Sequence, residues 1–375
     1  IVMQPVVANK RTNDEKLLFT LSGVNTSFAN SIRRCILSDI ECVVFKTFPH
    51  EENKATFSKN TTRHTNEMLK QRLSCVPIHL GVSAPYSSLI IEVNVTNTTD
   101  QTLYVTTKDF KIKEKTTEKY ISDSERDKIF PPNTITGDYI MFARLRPSSD
   151  TKKGLGESLS FTAEMDVSTA KENGMFSVAS ISCYTNTIDT AKLDNAWKEE
   201  KARLDKDEPL GEVELELHKQ NWLLLDGLRQ FKDNSFDFVI ESSGVFSNEG
   251  LALRSCDAMM KKIETLNHSI QTKTVTINRS ETTMDNCYDL VLKNEDYSLG
   301  KVIEYILHAN YYQGDKILTF CGFKKYHPHD ADSIIRIAFK RDEEMASIHD
   351  YLISTCNQAS QIFERIKTNF NDTTI

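Results

Sequence analysis

SFANSIRRCILSDI, residues 27–40, carries two stripes at helical spacing where a surface helix needs one. Phe28, Ile32, Cys35 and Ile36 recur at the i, i+4, i+7 and i+8 positions of a single core-facing flank. Asn30, Arg33, Arg34 and Leu37 recur at i, i+3, i+4 and i+7 on roughly the other side. The first stripe predicts a helix packed on a core. The second asks what else that helix faces.

Working outward, the same plan returns near the other end of the chain. With Ser27 set on Ser298, Phe28 falls on Leu299, Ala29 on Gly300, Ile32 on Ile303, Cys35 on Ile306 and Ile36 on Leu307. Upstream, Phe19 and Leu21 fall on Leu290 and Leu292, in the strands expected from LLFTLS (17–22) and YDLVLKN. Each copy is followed later by a long amphipathic helix. One carries Leu251, Cys256, Met259, Ile263, Leu266 and Ile270; the other carries Ile348, Leu352, Thr355, Ala359, Ile362, Ile366 and Phe370. Neither copy is large enough to cover both of its helices. A pseudo-two-fold pairing of helices between the copies would bury them all.

The 375 residues suffice for two or three domains. The expected layout is a discontinuous first unit (1–41 plus 236–271) and a mainly β domain inserted at 42–185. A charged helical connector (186–235), a polar linker (272–286) and a second unit (287–375) complete it. In the β domain, IIEVNVTN (90–97) and TLYVTT (102–107) alternate apolar and polar residues like a meander, which SLSFTAEMDV (158–167) and FSVASISCY (176–184) extend. NEMLKQRLSCVPIHL (66–80) reads as a helix ended by Pro77, and Ser247 and Asn248 offer N-caps for the first long helix.

A formal charge of −7 argues against a surface that grips nucleic acid throughout. No apolar run approaches the ~18 residues that span a bilayer. IVMQPVVANKRTNDEK lacks the apolar core and cleavage site of a signal peptide. The eight cysteines are scattered without a CxxC, which fits buried free thiols in a reducing compartment. Sequons at Asn94, Asn97 and Asn278 then reflect an Asn- and Thr-rich composition.

SFANSIRRCILSDIE resembles the signature helix of the α-like subunits of DNA-dependent RNA polymerase, and KQRLSCVPIHL (70–80) is similar to that family's HRLGLIPL-type segment. Residues 287–329 resemble the small partner, the eleventh subunit, whose pattern is matched by Asn294, Glu295, Asp296, Leu299, Gly300, Gly322 and His327-Pro328. The resemblance spans nearly everything except the charged connector. It implies a fusion of the third-largest and eleventh subunits in one chain, similar to the arrangement in polymerases of large DNA viruses. The implied fold is α+β, with two dimerisation units forming an intramolecular pseudo-dimer. The implied role is a non-catalytic platform on which two large catalytic subunits, and a small accessory subunit, assemble. Two departures stand out. HLGVSAPYSSLIIEV holds no cysteines where relatives often carry a zinc loop, so no zinc is expected there. Gln71 and Ser74 replace the family's His and Gly around Arg72, so contacts in that segment are expected to differ.

On composition alone, Arg33 and Arg34 are ordinary solvated helix residues. A face of Asn30, Arg33, Arg34 and Leu37 also suits a polar protein contact in which guanidinium forks meet carboxylates or carbonyls. The resemblance makes the second-largest subunit its partner and adds Arg72 to the docking set. In the second copy the equivalent stripe reads Lys301, Glu304, Tyr305 and His308, so each stripe is expected to face a different large subunit. Phe28, Ile32, Ile36, Leu299, Ile303, Leu307, Ile348, Leu352, Ile362 and Ile366 are the expected pairing residues. Cys321, His327 and His329 match no standard zinc spacing. Acidic pairs such as Asp123/Glu125 and Glu343/Glu344 lie in polar runs without a neighbouring nucleophile or phosphate loop, which reads as a solvated face. No catalytic residue, cofactor or metal ligand is expected. The competing reading is a DNA-binding transcription or elongation factor, which would need a basic groove-reading element; a stand-alone enzyme would need a convergent polar site. No membrane contact and no direct sequence-specific contact to nucleic acid are expected, and the chain is expected to be a monomeric pseudo-dimer within a hetero-oligomer. If viral, it belongs in host cytoplasm or virion, with a nuclear phase left open.

Overall fold

The computed structural model describes residues 3–148, 156–207 and 210–372. From the N-terminus the chain forms β1 (Val6–Asn13), β2 (Lys16–Ser22), α1 (Thr26–Ser38), β3 (Cys42–Val44), β4 (Ala55–Asn60) and α2 (Asn66–Ser74). It continues through β5 (Leu89–Thr96), β6 (Leu103–Thr106), β7 (Lys111–Glu114), α3 (Asp123–Ile129), β8 (Met141–Leu145), β9 (Ser158–Glu164), β10 (Asp166–Ser168) and β11 (Ala179–Ile188). Next come α4 (Thr190–Asp207), α5 (Glu212–Leu224), β12 (Phe231–Ser242) and α6 (Asn248–Gln271). The last elements are β13 (Ile277–Arg279), β14 (Cys287–Leu292), α7 (Tyr297–Leu307), β15 (Leu318–Lys324), β16 (Ser333–Phe339) and α8 (Met345–Asp372). The class is α+β. The chain divides into two compact units, one of residues 1–36, 181–241 and 248–375, the other of 37–180 and 242–247.

The first unit holds two antiparallel sheets, ordered β1-β2-β12-β11 and β13-β14-β16-β15. Strand β2 alternates buried Leu17, Phe19 and Leu21 with half-buried neighbours, the period-2 signature of a sheet with one covered face. Its neighbour β1 is not legible in the sequence. VVANKRTN has little alternation because a bulge between Ala8 and Arg11, with Asn9 at φ 53°, shifts its register. Strand β12 begins at Phe231, five residues ahead of the expected FDFVIES. The polar linker is not structureless either, since Ile277–Arg279 pairs with Tyr288–Leu290 as a short edge strand.

The core of this unit lies where the helices meet. Phe19 stacks on Phe238 (5.0 Å) and meets Phe370 of α8 edge-on (5.1 Å). Leu251, Met259 and Ile263 of α6 and Ile348, Leu352, Ile362 and Phe363 of α8 are all buried. The two long helices are linked at their rims by Lys367 to Asp257 (2.6 Å) and Asn267 to Asn357 (3.1 Å). Burying a large apolar side chain contributes roughly 1.5–3 kcal/mol, so this seam is a principal source of stability.

The second unit is a sheet ordered β4-β9-β5-β7, with pairs β6-β8 and β3-β10. Its core is built from Phe45, Phe110, Phe130, Phe142 and Phe161, in stacked, tilted and edge-on contacts. The expected meander of 90–97 with 102–107 is overturned: β5 pairs with β9 and β7, while β6 pairs with β8. The cause is Asn97, fully buried, whose amide donates to the carbonyls of Gln101 (2.8 Å) and Leu145 (2.9 Å) and whose Oδ1 accepts from the Thr99 amide. That side chain turns the chain away from a hairpin, and its burial leaves the Asn97 sequon no room for a glycan. The strand expected at 176–184 belongs instead to the first unit's sheet as β11. Helix α2 is capped by Thr65 and ends at Ser74, three residues before Pro77.

Candidate functional site

The entry to α1 is set by a turn. Gly23 sits at φ +73°, where a side chain would run into the Gln4 carbonyl. Asn25 then accepts from the Ser27 amide (2.9 Å) through its side chain and from the Phe28 amide through its carbonyl. This starts the helix with Phe28, Ala29, Ile32, Cys35 and Ile36 turned inward. The Phe28 ring lies 5.2 Å from Phe363 and meets Tyr305 edge-on at 6.4 Å. Leu299, Ile303 and Leu307 of α7 and Ile366 of α8 are likewise buried.

The other stripe of α1 is half-buried rather than bare. Arg33 folds back on its own helix, with Nε and Nη2 both donating to Asn30 Oδ1 (3.0 and 2.9 Å). Its carbonyl accepts from the Ser182 hydroxyl. Arg34 does something its spacing could not reveal. Its Nε donates to Ser298 Oγ (3.0 Å), its Nη2 pairs with Asp296 Oδ2 (2.5 Å), and its guanidinium lies 6.0 Å from the Tyr297 ring. Arg34 is therefore already engaged within the chain, across 262 residues of sequence. Leu37 is half-buried at the end of α1.

The receiving segment, NEDYSLG, is built for this. Asn294 adopts φ 55°, and its amide donates to Asp332 Oδ1. Glu295 takes an ion pair from Lys262 of α6 (3.1 Å). Asp296 caps α7 by accepting from the Ser298 amide (2.9 Å). Burial works against its charge, but the Ser298 amide and the Arg34 guanidinium outweigh it and hold the carboxyl below the usual range. Gly300 lets the Phe323 ring lie on the helix backbone, a position that a Cβ would occupy.

Around α7, Lys301 pairs with Glu304 (2.6 Å), and Tyr305 is half-buried with its hydroxyl pushed up by burial. His308 opens a π-helical turn (His308–Gly314) and stacks on Tyr312 at 4.7 Å. Arg72 lies in the second unit, where Nε and Nη2 donate to the carbonyls of Phe142 and Met141, both at 2.9 Å. Cys321 places its sulfur 3.7 Å from the Glu304 carbonyl, and His329 donates its amide to His327 Nδ1 (3.1 Å). Among the described residues no group of three or more His, Cys, Asp or Glu is arranged to hold a metal ion. No described helix is long and apolar enough to cross a membrane.

Sequence reasoning assigns no contact to Asp296, Ser298, Glu295 or Lys262. Charge complementarity between Arg34 and Asp296 is the available signal, but nothing in either local pattern ties one to the other.

Helix α1, with one inward and one polar stripe, thus meets α7 and α8 through Phe28, Tyr305 and Phe363, and the turn before α7 through Arg34 and Asp296. Residues 18–263 match the family model of the RNA polymerase Rpb3/Rpb11 dimerisation domain, and the chain belongs to that family of α-like RNA polymerase subunits. The match ends inside α6. Comparison with curated proteins gives no match.

Proposed function

We propose that the chain is a non-catalytic assembly platform of a DNA-directed RNA polymerase, in which third-largest-like and eleventh-like halves are fused and pair as an intramolecular pseudo-dimer. The observation that carries this reading is the closure of Phe28 on Phe363 and Tyr305, clasped beside it by Arg34 on Asp296. These are contacts between the two copies of the repeated plan: Phe28 comes from the stripe that stays apolar in both, whereas Arg34 and Tyr305 come from the outer stripes. The mainly β unit is then an insertion in the first half. The single-chain arrangement is similar to that of polymerases of large DNA viruses, with host cytoplasm or virion as the place of work.

The faces left over do the docking. Asn30 and Arg33, held together as one polar fork, meet the second-largest subunit; Lys301 and Glu304, with Tyr305 and His308 beside them, meet the largest. Arg34 serves the pairing first. The test is co-expression of the chain with both large subunits, followed by pull-down. Arg33→Glu is expected to lower capture of one large subunit by at least about tenfold, or about 1.4 kcal/mol, and Lys301→Glu to lower capture of the other. Equal loss of both, or of neither, overturns the assignment of the stripes. A wild-type chain that captures neither large subunit overturns the platform itself.

A further inference from the structure

The charged segment between β11 and β12 folds into two helices that, among the described residues, pack on each other through one flank. On α5, Leu215, His218 and Trp222 lie on a common flank. Trp222 lies 5.3 Å from Trp197 of α4, His218 Nε2 is 3.4 Å from Glu200 Oε1, and Leu193 of α4 occupies the space a side chain at Gly227, just beyond α5, would need. Lys219 is drawn to the same side, 5.9 Å over the Trp197 ring.

Half a turn away, Val213, Leu217 and Leu224 form a second apolar stripe, 83%, 60% and 70% exposed, interrupted by Gln220 and prolonged by Leu225 and Leu228. A helix apolar on two opposite sides and covered on one is a helix made for a second neighbour. Its rim has one sign. Glu214 and Glu216 border the stripe on either side, Asp226 lies at its far end, and the nearby Arg229 is spent on Asp226 (3.0 Å).

We propose that this stripe docks an amphipathic helix of another protein, one whose apolar face is bordered by lysine or arginine. The charge decides the occupant. An anionic lipid surface would be repelled by the glutamates, and a second copy of this chain would set acidic rim against acidic rim, whereas a basic-rimmed helix gains both apolar burial and opposite charge.

The chain reports on this site by itself, because its two tryptophans, Trp197 and Trp222, both lie in this pair of helices. The probe is a synthetic amphipathic helix of about 20 residues, long enough to be helical alone, with a leucine stripe flanked by lysines; its counterpart carries glutamates. The full-length chain is expected to change tryptophan emission on titration with the lysine peptide and not with the glutamate peptide. Leu217→Asp with Leu224→Asp should weaken binding by at least about tenfold at unchanged helicity and melting, as both side chains are exposed. Glu216→Lys should weaken the lysine peptide and admit the glutamate peptide. Binding that ignores both variants overturns the proposal. So does wild-type self-association that the double variant abolishes, which would mark the stripe as a contact between copies. A stronger emission change with phosphatidylserine vesicles than with the lysine peptide also overturns it.

Discussion

Asp296 uses one carboxylate for two purposes: Oδ1 caps α7 and Oδ2 receives Arg34. Asp289 is similar, gripped by Arg336 through two bonds of 2.7 Å that hold its carboxyl down. Both groups have folded-state pKa values below their unfolded ones. Their contribution is therefore complete above the unfolded carboxylate value, about 3.9, and is lost as pH falls from there through the lower folded values. Asp296→Asn is expected to reduce stability at neutral pH and to flatten this acid limb, read as the urea midpoint across a pH series. A variant as pH-sensitive as the wild type would assign the acid limb elsewhere. The same residue explains a limit of the sequence reading. Arg34 shares a stripe with Asn30 and Arg33, so periodicity groups all three as outward. The carboxylate that claims it is remote in the chain, and periodicity carries no information about such partners.

At the scale of the element, α8 is the clearest case of sequence and structure agreeing, because a long stripe of apolar residues leaves one solution. Its burial depends on α1 and β2 as well as on α6 and α7. Phe363 is fully buried against Phe28, and Phe370 closes on Phe19. Phe363→Ala is expected to cost about 3–5 kcal/mol, read by denaturant unfolding; a loss below about 0.5 kcal/mol, the range of surface sites, would mean the seam repacks without it. The strands are harder to read. β2, β14 and the strands about Phe161 alternate cleanly and are legible. β1 is hidden by its bulge, β13 by its shortness and polar residues, and the pairing of β5 by the buried amide of Asn97, which looks from sequence like any turn asparagine. The charged stretch at 186–235 shows its helical character but not its two-sidedness, since Val213, Leu217 and Leu224 are diluted there by glutamates.

Over the whole molecule, the thiols divide by burial. Cys75 and Cys183 are exposed, whereas Cys35, Cys42, Cys256, Cys287 and Cys356 are buried, and none of the eight cysteines forms a disulfide. Burial pushes the Cys42 thiol up to about 11 and those of Cys256 and Cys356 up to about 12, so little thiolate is present there at neutral pH. Alkylation of the native chain is expected to label Cys75 and Cys183 first, with the buried five modified only on unfolding, as mass spectrometry of digests would show; early labelling of Cys256 or Cys356 would mean the helical seam opens. That seam has one further consequence. Helices α6 and α8 are joined covalently through the strands between them, so each meets the other at an effective concentration on the order of millimolar, as tethered modules do. Dilution that would dissociate a pair of independent subunits leaves these helices together, in a fixed one-to-one ratio from the moment of synthesis.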